Sequence, residues 1–387
     1  MAITYFDGMS ADSIANGNDV RERWTVLDAA TTAEAAGVHS RYMLNLKTDA
    51  QIRCQAGIGD DQWSCAYVRF NAWPSSACTW WGYKRSDGTS LGWLVIGTDG
   101  SLLMGMNSDS GDHDTNFNFS LNTWYIVSFE ADSDSVDDPY VVVRDINGTE
   151  LLNYKYAGDG SYASNPAFWF LHVDDGLDFD VDNWVQDNAQ DPYLTITAPY
   201  RVLGLWVNAA GDTNDFDSGD YQSVDERPSD GDTTYIQDND ANSVFLANME
   251  NIPDTGFGIG NIVGVMANYW CQSGNSGQEF FPALKSGGTL YVSASQDDLA
   301  TGGGFSYSYE LHLVNPVTTG AWTEGEVDLL QIGIKHNNST NDLKGTCFYV
   351  EVLALAGEAR QWDHMQMVPL GHTKGAYLRP HQRIAGV

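Results

Sequence analysis

The chain has 387 residues, with 52 Asp and Glu against 19 Lys and Arg, giving a formal net charge of −33 at pH 7. A surface this acidic repels phosphate, which excludes nucleic-acid binding and docking on anionic membranes. Disorder is excluded too, because 42% of the residues are hydrophobic and 12% aromatic, enough to bury more than one core.

In chain order, MAITYFDGMS at the start has no basic segment followed by an apolar run, so no secretory signal is expected and the chain is read as folding in a cytosol. Ala29 to Ala36 has the composition of a short helix. Short strands are predicted over Gln62 to Phe70, Cys78 to Arg85, Leu91 to Ile96 and Ser101 to Met106. This region holds Trp73, Trp80, Trp81, Tyr83 and Trp93. An indole face beside Asp or Asn suits a sugar, so these five are the candidate carbohydrate-binding residues. Adjacent Trp80 and Trp81 point to opposite faces of a regular strand, which assigns at least one of them to the core.

Trp124 to Glu130 alternates like a half-buried strand. Tyr140 to Ile146 and Thr149 to Tyr156 are separated only by Asn147-Gly148, which predicts a tight hairpin with positive φ at both turn positions. A strand at Ala167 to Val173 is followed by Asp174, Asp175, Asp178, Asp180 and Asp182. Oxygen ligands at that density are a candidate calcium site, since a hard cation takes six to eight oxygens. Neither this stretch nor Asp132, Asp134, Asp137 and Asp138 has the glycine and glutamate of an EF-hand loop. No other cofactor is indicated. The five cysteines, Cys54, Cys65, Cys78, Cys271 and Cys347, form no zinc-type cluster and are read as reduced, buried thiols.

A domain boundary is placed at residue 198. Gly211 to Asp240 carries ten carboxylates against Arg227 alone, and residues 199–232 are read as an acidic linker in solvent. A second strand-rich domain is expected over 233–358. In it, Thr255 to Gln278 is too interrupted by Gly, Asn and Gln to span a bilayer, and Gly256, Gly258 and Gly260 read as a bulge or loop. Leu290 to Ala294, Ser306 to Val314 and Thr346 to Ala354 are strands by pattern. Thr323-Glu324-Gly325-Glu326 is a capping box that opens a short helix through Val327, Leu330 and Ile334. Residues 359–387 form a basic tail with Lys374, Arg379 and Arg383, suited to docking on the acidic body of a neighbouring copy. The fold class is therefore all-β: two antiparallel, jelly-roll-like β-sandwiches with minor short helices.

Two sets of segments carry resemblances. NTWYIVSFEAD from Asn122, YVVVRDINGTELLNYKY from Tyr140 and FWFLHVDDGLDFDVD from Phe168 resemble the laminin-G/concanavalin-A-like lectin jelly roll over roughly residues 1–195. GDTNDFD from Gly211, ALKSGGTLY from Ala283 and NPVTTGAWTEGEVDLLQIGIK from Asn315 are similar to structural proteins of tailed bacteriophages. These resemblances imply a virion component on the particle exterior, a tail fibre, head spike or capsid decoration. Its expected partners are other virion proteins, copies of itself and a host-surface glycan, without enzymatic activity; a cement protein that binds no sugar is the alternative. EVDLLQ from Glu326 is close to the E-x-D-x-x-E signature of a sandwich-fold glucanase family, but Gln331 replaces the final acid.

Overall fold

The structure, a computed structural model, describes residues 3–7, 24–28, 31–35, 42–47, 51–55, 61–106, 111–132, 140–156, 168–188, 191, 199–225, 233–253, 259–273, 279–294, 297–298, 305–337 and 342–356. Lys374, Arg379 and Arg383 of the basic tail, Asp134, Asp137 and Asp138, and Gly256 and Gly258 lie outside these residues.

The first half contributes β1 (Ile3–Asp7), β2 (Trp24–Asp28), β3 (Thr31–Ala35), β4 (Tyr42–Lys47), β5 (Gln51–Gln55), β6 (Asp61–Ala72), β7 (Cys78–Lys84) and β8 (Ser90–Ile96). It continues with β9 (Ser101–Met106), β10 (His113–Asn118), β11 (Trp124–Asp132), β12 (Tyr140–Asp145), β13 (Glu150–Lys155), β14 (Phe168–His172) and β15 (Asp178–Asp187). Sheet I has the order β13-β12-β11-β6-β15-β4-β3, with β1 on β15, and sheet II the order β10-β9-β8-β7-β14-β5-β2. Alternate residues of both sheets, such as Val68 and Phe70 of β6 and Trp169 and Leu171 of β14, are fully or almost fully buried between them.

The second half contributes β16 (Tyr200–Asn214), β17 (Ile236–Asp238), β18 (Val244–Met249), β19 (Ile259–Ser273) and β20 (Glu279–Ser286). After β21 (Thr289–Val292), β22 (Asp297–Asp298) and β23 (Ser306–His312) come the one-turn helix α1 (Glu324–Val327), β24 (Gln331–His336) and β25 (Leu343–Ala356). Long β16 passes between two layers: Tyr200 to Trp206 pair with β25, and Val207 to Asn214 pair with β18. Sheet III is thus β16-β25-β19-β23 with β17 on β25, and sheet IV is β21-β20-β24-β18-β16 with β22 on β20. Leu205, Tyr269 and Val350 from one layer and Phe245, Ile332 and Ile334 from the other form the second core.

The two sandwiches share apolar contacts. Tyr200, Val202, Met266 and Leu353, on the face of sheet III turned away from the second core, join the first core cluster together with Cys65, Tyr67 and Ile126 of sheet I. Tyr200 Oη donates to the Asn183 carbonyl at 3.0 Å, and the Val202 N–H donates to Asn183 Oδ1 at 2.7 Å. Arg144 and Asp191, both buried beside this contact, form an ion pair at 2.6 Å.

Several expectations change. Thr31–Ala35 is a strand paired with β4, not a helix; a segment of eight residues is too short to hold a helix alone, and the ladder satisfies its backbone groups. The capping box at Thr323 is present with both reciprocal bonds, but the helix ends at Val327 and Ile334 belongs to β24. The hairpin of β12 and β13 is present, yet only Gly148 has positive φ (86°), because Asp145 Oδ1 accepts the N–H groups of Asn147 and Thr149 and fixes a different turn. The described part of 199–232, residues 199–225, is not a linker in solvent: Tyr200–Asn214 is one continuous strand. Its acids and those beyond it are tied down locally, Asp212 by Lys285, Asp215 by the Val244 N–H and Asp217 by the Asn239 N–H. Gly260 lies where β19 shifts register against β25, as a bulge requires.

Candidate functional site

Trp169 and Leu171 face the first core, so the alternation of β14 turns Phe170 and His172 to the outer face of sheet II. On that face Phe170 is paired with Gly82, Gly82 with Trp93, and Trp93 with Gly105, one row across four strands. Each aromatic ring therefore has a glycine beside it. A Cβ at Gly82 would lie 2.5 Å from the Phe170 ring, and one at Gly105 would lie 2.2 Å from Trp93 Nε1. The indole of Trp93 is laid across the neighbouring strand, half-buried, and its N–H donates to Asp112 Oδ1 at 2.9 Å. Lys84 Nζ stands 4.6 Å from the centre of the Phe170 ring. Phe170 and Trp93 stand on strands two apart, about 9.6 Å between backbones at the usual strand spacing. Asp112 lies beside Trp93 and Lys84 over a Phe170 that is 4% exposed, so Trp93 is the ring this face offers to solvent.

Of the five predicted aromatic residues, this face uses only Trp93. Trp80, Trp81 and Tyr83 are 0% exposed. The pairing of β7 with β8 passes from Thr79↔Val95 directly to Trp81↔Leu94, so a bulge at Trp80 turns both indoles inward. Tyr83 packs on Phe129 and Trp169 and its hydroxyl reaches Met106 Sδ at 3.8 Å. Trp73 is half-buried at the sandwich rim, wedged between Phe70 and Gly100. Phe170, Lys84, Asp112 and the two glycines were not singled out from sequence. The pattern FWFLH, with bulky residues at both parities, was the available signal.

The predicted calcium ligands do not converge. Asp178 Oδ1 accepts the side-chain amides of Asn45 at 2.8 Å and Asn71 at 3.0 Å. Asp180 is fully buried and takes Asn45, Asn71 and the guanidinium of Arg69. Donors occupy the oxygens that a cation would need, which makes this an ion-pair network within sheet I. Asp182 is buried farther along β15, while Asp174 and Asp175 sit in the exposed turn before it. Among the described residues, carboxylates converge instead at Asp217, Asp238 and Asp240.

An open pocket of about 410 Å³ lies on sheet IV, lined by Asn208, Asp212, Asn248, Lys285, Asp328 and Gln331, with Leu329 71% exposed at its edge. Three members of EVDLLQ reach it, Asp328, Leu329 and Gln331, but the polar groups of the motif are engaged. Asp328 Oδ1 accepts the Ile252 N–H, Gln331 Oε1 accepts the Asp212 N–H, and Glu326 closes the helix cap. The hydrogen bond from Lys285, then that of Gln331, holds the Asp212 carboxyl below its ordinary range.

No family model matches the chain, and no curated protein does. Among solved structures, the chain is similar to a sialidase at 11% identity and a TM-score of 0.37, over 49% of this chain and only 19% of that one. It is similar to domain 4 of AbnA, an extracellular arabinanase from Geobacillus stearothermophilus, in complex with arabinotriose (14% identity, TM-score 0.35, 48% of this chain and 92% of that one). A protein of unknown function from Shewanella oneidensis MR-1 matches at 16% identity and a TM-score of 0.36, over 49% of this chain and 87% of that one. These likenesses bear on the fold alone.

Proposed function

We propose that the chain is a non-catalytic glycan-binding protein that contacts sugar through the outer face of sheet II around Trp93. The observation that carries this reading is the row Phe170, Gly82, Trp93 and Gly105, in which the missing side chain at Gly105 lets a half-buried indole lie across the sheet with its N–H held by Asp112. A ring fixed in this way offers an apolar face for a sugar's C–H surface, while Asp112 and Lys84 supply a directional acceptor and donor. The setting we propose is the exterior of a tailed-bacteriophage particle, as fibre, spike or capsid decoration. Its support is the resemblance of the Ala283 and Asn315 segments to structural proteins of such phages and the net charge of −33. There a sugar contact of roughly millimolar strength becomes useful through many copies acting together.

A glycan array probed with the intact chain and with Trp93→Ala tests the binding reading. The intact chain is expected to mark a defined subset of glycans and the variant to lose them. A blank array for the intact chain, or an unchanged pattern for the variant, refutes it.

A further inference from the structure

We propose that Asp217, Asp238 and Asp240 of the second sandwich form a calcium site, separate from the glycan face and from the aspartates of β15. One carboxylate oxygen of each residue lies within 4.8 Å of the others. Two oxygens on opposite sides of one calcium ion are themselves about 4.8 Å apart, at about 2.4 Å per bond. Three carboxylates at this separation repel one another strongly unless a cation stands among them.

A second observation points to the ligand. Asp238 is 0% exposed, and among the described residues its Oδ1 meets no hydrogen-bond donor. Its Oδ2 is committed, accepting from His336 Nδ1 at 2.7 Å and from the Asp240 N–H at 3.2 Å. A buried carboxylate oxygen with no donor is costly, and a metal ion is the partner that satisfies it with two further carboxylates at hand. His336 is also fully buried and acts as a positioning residue, fixing the plane of the Asp238 carboxylate.

The local sequence explains the geometry. Ile236 and Asp238 share one face of β17, and Ile334 and His336 share one face of β24; both isoleucines belong to the second core, so the acid and the histidine meet at its end. A two-way backbone bridge between Ser218 and Gln237, at 3.0 and 3.1 Å, brings the Asp217 loop against β17. Gly219 closes that loop at φ 84°, where a Cβ would lie 2.6 Å from the Tyr235 carbonyl. Asp217 and Asp240 are exposed, leaving the other side of the site to water ligands. Oxygen-only, irregular coordination of this kind suits calcium better than magnesium, which demands a tighter octahedron.

The test is calorimetric titration of CaCl2 into the chelator-treated full chain, beside Asp217→Asn and Asp240→Asn, whose exposed positions spare the core and whose fold is checked by circular dichroism. The intact chain is expected to bind calcium with a dissociation constant of about 1 mM or tighter, to bind MgCl2 at least about tenfold more weakly, and to gain thermal stability with calcium. Both variants are expected to lose this calcium or bind it at least about tenfold more weakly and to lose the thermal gain. Variants that bind as the intact chain does, an intact chain that takes up no calcium, or magnesium bound equally well overturn the assignment.

Discussion

Three indoles, Trp80, Trp81 and Trp169, fill the first core with N–H groups that meet no acceptor among the described residues. Their contribution is therefore volume and ring contact, such as the edge-on packing of Trp80 on Phe70 and Phe179. Trp80→Ala is expected to cost about 3–5 kcal/mol by the cavity it leaves. Trp80→Phe should cost well under half of that, since no hydrogen bond is given up. Urea unfolding of the two variants measures both values, and a phenylalanine variant as unstable as the alanine one would show that the N–H matters. Alternation along β7 assigns one of Trp80 and Trp81 to the outside; the bulge that brings both in depends on the partner strand β8, which the local sequence does not record. Trp93 was legible as a candidate from its type. The glycine beneath it was not, because its neighbour lies on another strand.

At the level of elements, β15 carries the largest departure from expectation. Asp178, Asp180 and Asp182 alternate with Phe179 and Val181, a strand pattern that the density of acids obscures. The strand tolerates a buried Asp180 because Arg69, on the adjacent β6, meets it at 2.6 Å with Asn45 and Asn71 completing its bonds. Arg69→Ala is expected to destabilise the chain by about 3 kcal/mol, because it leaves an uncompensated buried carboxylate, and adding Asp180→Asn should recover part of that loss. The midpoint of urea unfolding at pH 7 reads both steps. In the second half, β16 is hidden in the same way: its N-terminal part is the apolar run RVLGLWV, while its C-terminal part runs into the acids that give the segment the composition of a linker. Strands such as β6, β9 and β11 were legible because their alternation is not mixed with charge, and α1 was legible at its start alone, since a capping box marks where a helix begins and says little about its length.

For the whole molecule, the joint between the sandwiches predicts a response to alkali. Burial pushes the Cys65 thiol up from 9.0 to about 12, helped by the Asp191 carboxylate, and burial raises Tyr200 well above its ordinary value. Both groups sit where Tyr200 enters sheet III against sheet I, with Tyr200 Oη 3.3 Å from Cys65 Sγ. A group with a raised pKa in the fold contributes stability that is complete below its unfolded value and lost as pH rises through the folded one. The chain should accordingly hold its stability up to about pH 9 and lose it progressively between pH 9 and 12, with Cys65→Ala showing a shallower decline. Denaturant midpoints across that range provide the measurement, and identical slopes for the two proteins would remove Cys65 from the effect. Cys65, Cys78, Cys271 and Cys347 are buried and stand in no disulfide, as the sequence suggested, while the side chain of Cys54 lies outside those described. The overall charge of −33 does not map onto loops alone, since Asp180, Asp182, Asp187, Asp191 and Asp238 are all buried at 2% exposure or less.

The glycan face is tested most directly by calorimetric titration of the best-bound oligosaccharide into the intact chain, Trp93→Ala and Trp73→Ala. Trp73 serves as the control, a half-buried indole at the rim of the same sandwich. Loss of one stacking face is expected to raise Kd about tenfold for Trp93→Ala, with Trp73→Ala binding as the intact chain does. A Trp93→Ala variant that keeps the intact affinity, or one weakened no more than Trp73→Ala, would contradict the assignment of sugar binding to this face.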